Sequence, residues 1–117
     1  MKKLILLVAI FFVAIACGQS PPEDENAAFN PENILIDVRS PQEYEAGHIK
    51  NAVNIPVDKA ADEIRNAVPD QEKTIVIYCK SGRRSAIAEN ILKAMGYKNI
   101  INAGGYESLK RLEHKGS

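Results

Sequence analysis

The most reactive side chain in the sequence begins a six-residue segment, Cys79-Lys80-Ser81-Gly82-Arg83-Arg84. An apolar run at 74–78 precedes this segment, and a stretch with helical periodicity follows it. The cysteine is therefore predicted at the carboxyl end of a strand, the edge at which open α/β sheets bind ligands. A loop that closes onto a helix N-terminus turns backbone N–H groups inward and forms an anion site. Gly82 gives the backbone the freedom that such a turn requires.

The same segment favours a cysteine that is ionised at neutral pH. Thiols at helix N-termini beside cations have pKa values lowered from about 8.5 to roughly 3.5–7.5. We therefore predict that Cys79 is the catalytic nucleophile. The predicted substrate-binding residues are the rest of the segment, Lys80, Ser81, Gly82, Arg83 and Arg84. A structural cysteine is the alternative, but the three adjacent cations make its burial costly.

The elements that must position this segment alternate along the chain from about residue 32. Strand-like runs rich in β-branched residues lie at 34–38, 74–78 and 99–102. Helices are predicted at 40–47, 58–68, 84–95 and 106–113. The first two runs are almost continuously apolar, as is typical of parallel strands covered on both faces. The sequence thus predicts an α/β fold, with a central, mainly parallel sheet flanked by helices on both faces.

Local signals support two of these helices. Ser40, Pro41 and Glu43 have the spacing of a capping box at the start of the first predicted helix. On the third predicted helix, five residues recur at helical spacing and are expected to pack against the sheet. These five are Ala86, Ile87, Asn90, Ile91 and Ala94.

The N-terminus has the pattern of an export signal. Two lysines precede an apolar run at 4–16, which as a helix would span roughly 20 Å, too short for a bilayer core of about 30 Å. We therefore predict a signal peptide at 1–16. The sequence at 14–17 resembles a bacterial lipobox, which implies cleavage before Cys17 and lipidation of Cys17. An ordinary signal peptide or an uncleaved anchor is the alternative.

The rest of the chain is predicted to contain a tether at 17–31 and one folded domain at 32–117. The tether is polar and acidic and contains too few apolar residues to offset the entropy of ordering. The chain has 117 residues, with 15 Lys and Arg against 15 Asp and Glu. This balance excludes the basic excess of nucleic-acid binders. Lipidation of Cys17 would leave Cys79 as a lone exported thiol, which favours a functional role.

Three motifs carry a resemblance to the rhodanese family. Cys-x-x-Gly-x-Arg between strand and helix resembles the rhodanese active-site loop, and the segment at 36–56 resembles the amino-terminal rhodanese signature. Gly104-Gly105, which we expect to break the chain before the last helix, resembles the closing motif of the family. The resemblance covers about residues 30–113. Lys80 departs from the active-site loop of the family, in which Arg is frequent at this position. Lys lacks the planar guanidinium that can bind two sulfonate oxygens.

The resemblance implies a thiosulfate sulfurtransferase that works by a ping-pong mechanism. Cys79 would take the outer sulfur of thiosulfate as a persulfide and pass it to a thiol or to cyanide. No cofactor and no metal are implied. Asp37 and Arg39 of the amino-terminal signature are expected to play a supporting role as an ion pair near the loop. Asn51 stands where Gly is usual, but Asn also tolerates a positive φ.

Two other functions remain open at this point. One is a rhodanese-like module that binds a partner, or carries a persulfide to a dedicated acceptor, without turnover of free thiosulfate. Phosphatase or arsenate reductase chemistry is the other alternative, but those loops place Arg six positions after Cys. Here Arg84 is the fifth and Ser85 the sixth.

The expected partners are a small anionic sulfur donor, a thiol acceptor and, through the lipid anchor only, a membrane. Nucleic acid is not expected as a partner, and the protein is expected to be a monomer. Its expected location is the cell envelope, facing the periplasm or the exterior.

Overall fold

The computed structural model describes residues 23–116 of the chain. The predicted signal peptide at 1–16 and the predicted lipidation site, Cys17, lie outside the described residues. Within the described part, no helix is both long and apolar enough to cross a membrane.

In the described part of the chain, four parallel strands form one sheet in the order β2-β1-β3-β4. Their bounds are Ile34–Asp37 for β1, Val53–Asn54 for β2, Thr74–Cys79 for β3 and Asn99–Gly105 for β4. The three predicted strands and the parallel arrangement are confirmed. β2 was not predicted, because a strand of two residues is too short to show a periodic pattern.

Within residues 23–116, five α-helices precede, connect and follow the strands. They are α1 at Glu23–Asn26, α2 at Pro41–Ala46, α3 at Ala60–Ala67, α4 at Arg83–Ala94 and α5 at Tyr106–Lys115. Short 3-10 turns at Ala27–Phe29 and Val57–Lys59 lead out of α1 and into α3. The predicted capping box of α2 is present, since Ser40 Oγ accepts from Glu43 N and the Glu43 carboxylate accepts from Ser40 N. Asn51 has a φ of 73°, a positive value that Asn tolerates.

The alternating side chains of β3 divide the core into two clusters, one on each face of the sheet. Ile75, Ile77 and Cys79 belong to the cluster that packs against α3 and α4. Val76 and Tyr78 belong to the other cluster, which includes residues of α5 and of the turn after α1. Helices therefore cover both faces, as predicted. Cys79 is directed toward the face that carries α4.

The prediction of which face of α4 packs against the sheet is wrong. Ser85, Ala88 and Leu92 are the buried residues of this helix, whereas Ile87 is 49% exposed. The buried set also recurs at helical spacing, but it begins with a polar residue that a search for apolar positions overlooks. Ser85 can be buried because it finds hydrogen-bond partners there.

The folded part also begins earlier than the predicted boundary at residue 32. The segment from 23 to 29 is helical, and Ala28 is buried in the cluster that contains Leu35 and Val76. Asn33 Nδ2 donates to Ala27 O at 3.1 Å and holds the turn against the start of β1. The polar composition predicted a tether up to residue 31, but burial of Ala28 and this amide contact place the end of the segment against the domain.

Candidate active site

Cys79 is the last residue of β3, one of the two inner strands of the sheet. Its side chain is buried, and the chain turns at once through Lys80, Ser81 and Gly82 into α4. Gly82 is the residue before the first turn of α4 and has a φ of 93°, a left-handed conformation that favours glycine. The sulfur therefore lies where the sequence predicted, at the carboxyl edge of the sheet and beside the N-terminus of a twelve-residue helix.

Hydrogen-bond donors surround the sulfur. Gly82 N donates to Cys79 Sγ at 2.9 Å, and Ser85 Oγ lies 3.6 Å from it. Burial raises the pKa of the Cys79 thiol, but hydrogen bonds from Ser85, Ser81 and Gly82 outweigh burial, so the pKa is lowered below its ordinary value. The sequence predicted a lowered pKa from the inward-facing N–H groups, the helix N-terminus and the neighbouring cations. The hydrogen bonds are the causes that lower it in the structure.

Ser85 lies beside the sulfur and Asn102 beside Ser85, but neither was predicted as a site residue. Ser85 is fully buried, and its Oγ lies 2.8 Å from Asn102 Oδ1 and 3.0 Å from Gly82 O. Asn102 Oδ1 also accepts from Gly104 N at 2.9 Å. A hydroxyl has one proton, so Ser85 can donate it to the sulfur when the sulfur becomes negative and to Asn102 when it does not. The signal available in the sequence was a serine in the first turn of the predicted helix after the cysteine.

Gly104 and Gly105 lie directly against the backbone of the cysteine loop. They were expected to break the chain, but they form the end of β4 and pair with Tyr78 and Cys79 after a bulge. A Cβ on Gly105 would lie 2.7 Å from Lys80 O. Only glycine allows the strand to pass so close to the loop. The closing motif thus has a direct physical link to the site.

The three loop cations have different surroundings. Lys80 and Arg83 are exposed, and neither forms an ion pair with any residue in the described range. Arg84 is partly buried and donates from Nη1 and Nη2 to the two carboxylate oxygens of Glu43, at 2.7 and 3.0 Å. The hydrogen bond from Arg84 is the main reason that the pKa of Glu43 is lowered to about 2. Glu43 was predicted only as a helix-capping residue.

Asp37 and Arg39 form the predicted ion pair, with Arg39 Nη2 2.7 Å from Asp37 Oδ2. Both are buried, and Arg39 Nη2 also donates to Gly47 O at 2.6 Å. The guanidinium carbon lies 4.2 Å from the centre of the Tyr106 ring. Burial alone would lower the pKa of Arg39, but the contacts with Asp37 raise it. Among the described residues, neither member of the pair has a hydrogen bond to Cys79.

Two other features bear on the assignment of the site. Within residues 23–116, no group of three or more His, Cys, Asp or Glu side chains is placed to hold a metal ion. A groove of about 830 Å³ is lined by Phe29, Val53 and Leu112 among others, and its lining includes neither Cys79 nor a residue of the cationic loop.

Comparison with known families assigns the domain. Residues 21–112 match the model of the rhodanese-like domain family. The chain belongs to this family. It is 42% identical over 81 residues to thiosulfate sulfurtransferase PspE of Escherichia coli, an alignment that covers 69% of this chain and 78% of PspE. The predicted fold class, with its parallel sheet and flanking helices, is that of the rhodanese family.

Solved structures and longer relatives agree with this assignment. A structure described as rhodanese with anions from E. coli has a TM-score of 0.62 and 43% identity and covers 64% of this chain and 88% of that chain. Human single-domain sulfurtransferase TSTD1 has a TM-score of 0.65 and 28% identity, with 77% and 91% coverage. A tRNA uridine(34) hydroxylase of Erwinia tasmaniensis is 37% identical over 93 residues, but this chain spans only 27% of its length. Rhodanese-like domains therefore also occur within longer proteins of different activity.

Proposed function

We propose that this protein is a thiosulfate sulfurtransferase that carries sulfur as a persulfide on Cys79. The observation that carries the proposal is the set of donors around the sulfur, with Gly82 N at 2.9 Å and the Ser85 hydroxyl at 3.6 Å. Such donors stabilise a negative sulfur. The 42% identity to a thiosulfate sulfurtransferase supports the same activity.

The first half-reaction needs no separate general base, because the hydrogen bonds to Cys79 Sγ lower its pKa and favour the thiolate. The Cys79 thiolate attacks the outer sulfur of thiosulfate and forms a new S–S bond. The S–S bond of thiosulfate breaks, and sulfite leaves with the bonding electron pair. The outer sulfur of the persulfide then bears the negative charge, which the N–H groups of the loop and the dipole of α4 stabilise. Lys80 and Arg83 attract the anionic donor to the loop.

The second half-reaction returns the enzyme to its starting state. A thiolate or cyanide attacks the outer sulfur of the persulfide, the S–S bond breaks, and Cys79 leaves as a thiolate. A leaving group of lowered pKa departs more readily. The hydrogen bonds that favour the first step therefore also favour the second.

Mass spectrometry and an assay of thiocyanate formation test the proposal. Thiosulfate should add one sulfur atom, about 32 Da, to the protein, and addition of cyanide should remove it. Cys79→Ser should abolish both the adduct and the formation of thiocyanate. A stable adduct with no turnover would instead favour a persulfide carrier. Hydrolysis of a phosphate ester without an adduct would favour the phosphatase alternative.

We also propose that the protein is exported and anchored to the cell envelope through lipid on Cys17. The support is the sequence alone, a short apolar run that ends in a lipobox-like segment. Incorporation of a labelled fatty acid, abolished by Cys17→Ser, would establish the anchor. A cytoplasmic, unlabelled protein would contradict it. The proposed partners are a small anionic donor and a thiol acceptor, and the proposed state is a monomer.

A further inference from the structure

The guanidinium of Arg84 is suited to bind an oxyanion, but both of its terminal nitrogens already bind the carboxylate of Glu43. Both terminal nitrogens of Arg84 donate to Glu43, one to each carboxylate oxygen. A guanidinium binds carboxylate or sulfonate most strongly through this two-pronged contact. An incoming sulfonate would therefore have to use the remaining N–H groups of Arg84 or compete with the carboxylate.

Glu43 is held firmly in this position. Its Oε1 accepts hydrogen bonds from Ser40 N at 3.0 Å and from Ser40 Oγ at 3.1 Å, in addition to the bond from Arg84. These contacts belong to the capping box that starts α2. Displacing the carboxylate would break the cap as well as the ion pair. An anionic donor therefore meets a fixed negative charge beside the loop.

The other two cations do not replace a free arginine fork at position 84. Lys80 provides a point charge without planar geometry. Arg83 is exposed to solvent, where ion pairs are weak. The buried Asp37–Arg39 pair adds no net charge to the site.

The charge balance at the loop therefore suits a singly charged donor. Lys80, Arg83 and Arg84 supply three positive charges, while Glu43 and the Cys79 thiolate supply two negative ones. A monoanion neutralises the remaining positive charge. Thiosulfate, a dianion, leaves the site with an excess of one negative charge, which the N–H groups and the helix dipole must stabilise.

We infer that Glu43 is a specificity-determining residue that disfavours doubly charged sulfur donors relative to singly charged organic ones, such as thiosulfonates. This inference rests on the proposed function. With a thiosulfonate, the Cys79 thiolate attacks the outer sulfur, the S–S bond breaks, and a sulfinate leaves with the electron pair. The total charge in that step is two negative charges rather than the three of the thiosulfate reaction.

Glu43→Gln tests the inference with little disturbance to the fold. Gln at this position can still complete the capping box and accept a hydrogen bond from Arg84, but it removes the charge. We expect kcat/KM for thiosulfate to rise roughly three- to tenfold, while kcat/KM for methanethiosulfonate changes less than about twofold. Glu45→Gln is the matched control, because Glu45 lies exposed on the same helix and is not bonded to Arg84. It should change neither value.

Three kinetic results would overturn the inference. These are an equal change for both donors, a fall for thiosulfate, and a Glu45→Gln effect as large as that of Glu43→Gln. Binding of two non-reactive anions, sulfate and methanesulfonate, measured by calorimetry, separates the inference from the proposed function. Glu43→Gln should strengthen the binding of sulfate relative to that of methanesulfonate, by a factor similar to the change in kcat/KM for thiosulfate. If turnover is absent but this shift is present, only the proposed function fails. If the shift is absent, the inference fails.

Discussion

Two arginine–carboxylate pairs lie near the carboxyl edge of the same sheet, and they differ in burial. In the Asp37–Arg39 pair, the side chains are 0% and 5% exposed. In the Glu43–Arg84 pair, they are 31% and 33% exposed. The buried pair is joined to Gly47 O and to the Tyr106 ring, whereas the half-exposed pair joins α2 to the end of the cysteine loop.

This difference separates a structural role from a functional one. A buried charge must be compensated, so the first pair holds the end of β1 against its neighbours. A half-exposed pair contributes little to stability but sets the charge that an approaching anion meets. The two pairs should therefore respond in opposite ways to mutation, one in stability and the other in substrate binding.

The largest expected effect is on folding, from Asp37→Asn. This change leaves Arg39 buried without a counter-charge and should lower the free energy of unfolding by about 3–5 kcal/mol. Urea denaturation followed by circular dichroism measures the loss. Glu43→Gln, measured in the same way, should cost about 1 kcal/mol or less. If the two variants lose equal stability, the contrast between the pairs is wrong.

The second effect is on the reactivity of the cysteine, from Ser85→Ala. A hydrogen bond to a charged group contributes about 1.5–3 kcal/mol, so the persulfide should form at least about tenfold more slowly at neutral pH. The rate should recover as the pH is raised, because alkaline pH restores the thiolate. Stopped-flow measurement of sulfite release gives the pH profile. Ser108→Ala, on α5, is the control and should behave as the wild type.

A smaller effect is expected on anion capture, from Arg84→Ala. Loss of the cation leaves Glu43 unpaired beside the loop, so the KM for thiosulfate should rise by a few-fold to about tenfold. Lys115→Ala removes an exposed cation at the far end of α5 and should change KM less than twofold. Equal effects of the two changes would remove Arg84 from the site.

The smallest expected effect is on the pH dependence of stability, to which the Glu43–Arg84 pair contributes. The pKa of Glu43 is lowered to about 2 by Arg84, so the pair stabilises the fold above the unfolded pKa of about 4.3. This contribution is lost as the pH falls from there toward 2. Wild type and Glu43→Gln should therefore differ in stability by a constant amount between pH 5 and pH 7 and converge near pH 2. Urea titrations over this series measure the difference. A gap that persists undiminished at pH 2 would contradict the assignment.

The sequence predicted the parts of the fold that depend on long periodic patterns. The strands around Ile36 and Ile77 are nearly continuous apolar runs, and the capping box of α2 has a local spacing. β2 has two residues and gives no such pattern. The inner face of α4 was wrong because burial of Ser85 depends on partners from other elements, Asn102 among them.

The same distinction applies to the site. Cys79 and its loop are contiguous in sequence, so their position could be predicted. Glu43 and Arg84 are 41 residues apart, and Ser85 and Asn102 are 17 apart. Each of these contacts follows from the order of the strands rather than from any local pattern. For that reason the sequence identified the cations but not the carboxylate that pairs with one of them.

The most direct test of the central claim is the ionisation of Cys79. Ultraviolet absorbance of the thiolate, taken as the difference between the wild type and Cys79→Ser over a pH series, cancels the contribution of Cys17. The donors at Gly82 and Ser85 lower the pKa of Cys79, so the transition should occur below the ordinary thiol value of about 8.5 and the thiolate should predominate above that transition. A transition at or above the ordinary value would contradict the account.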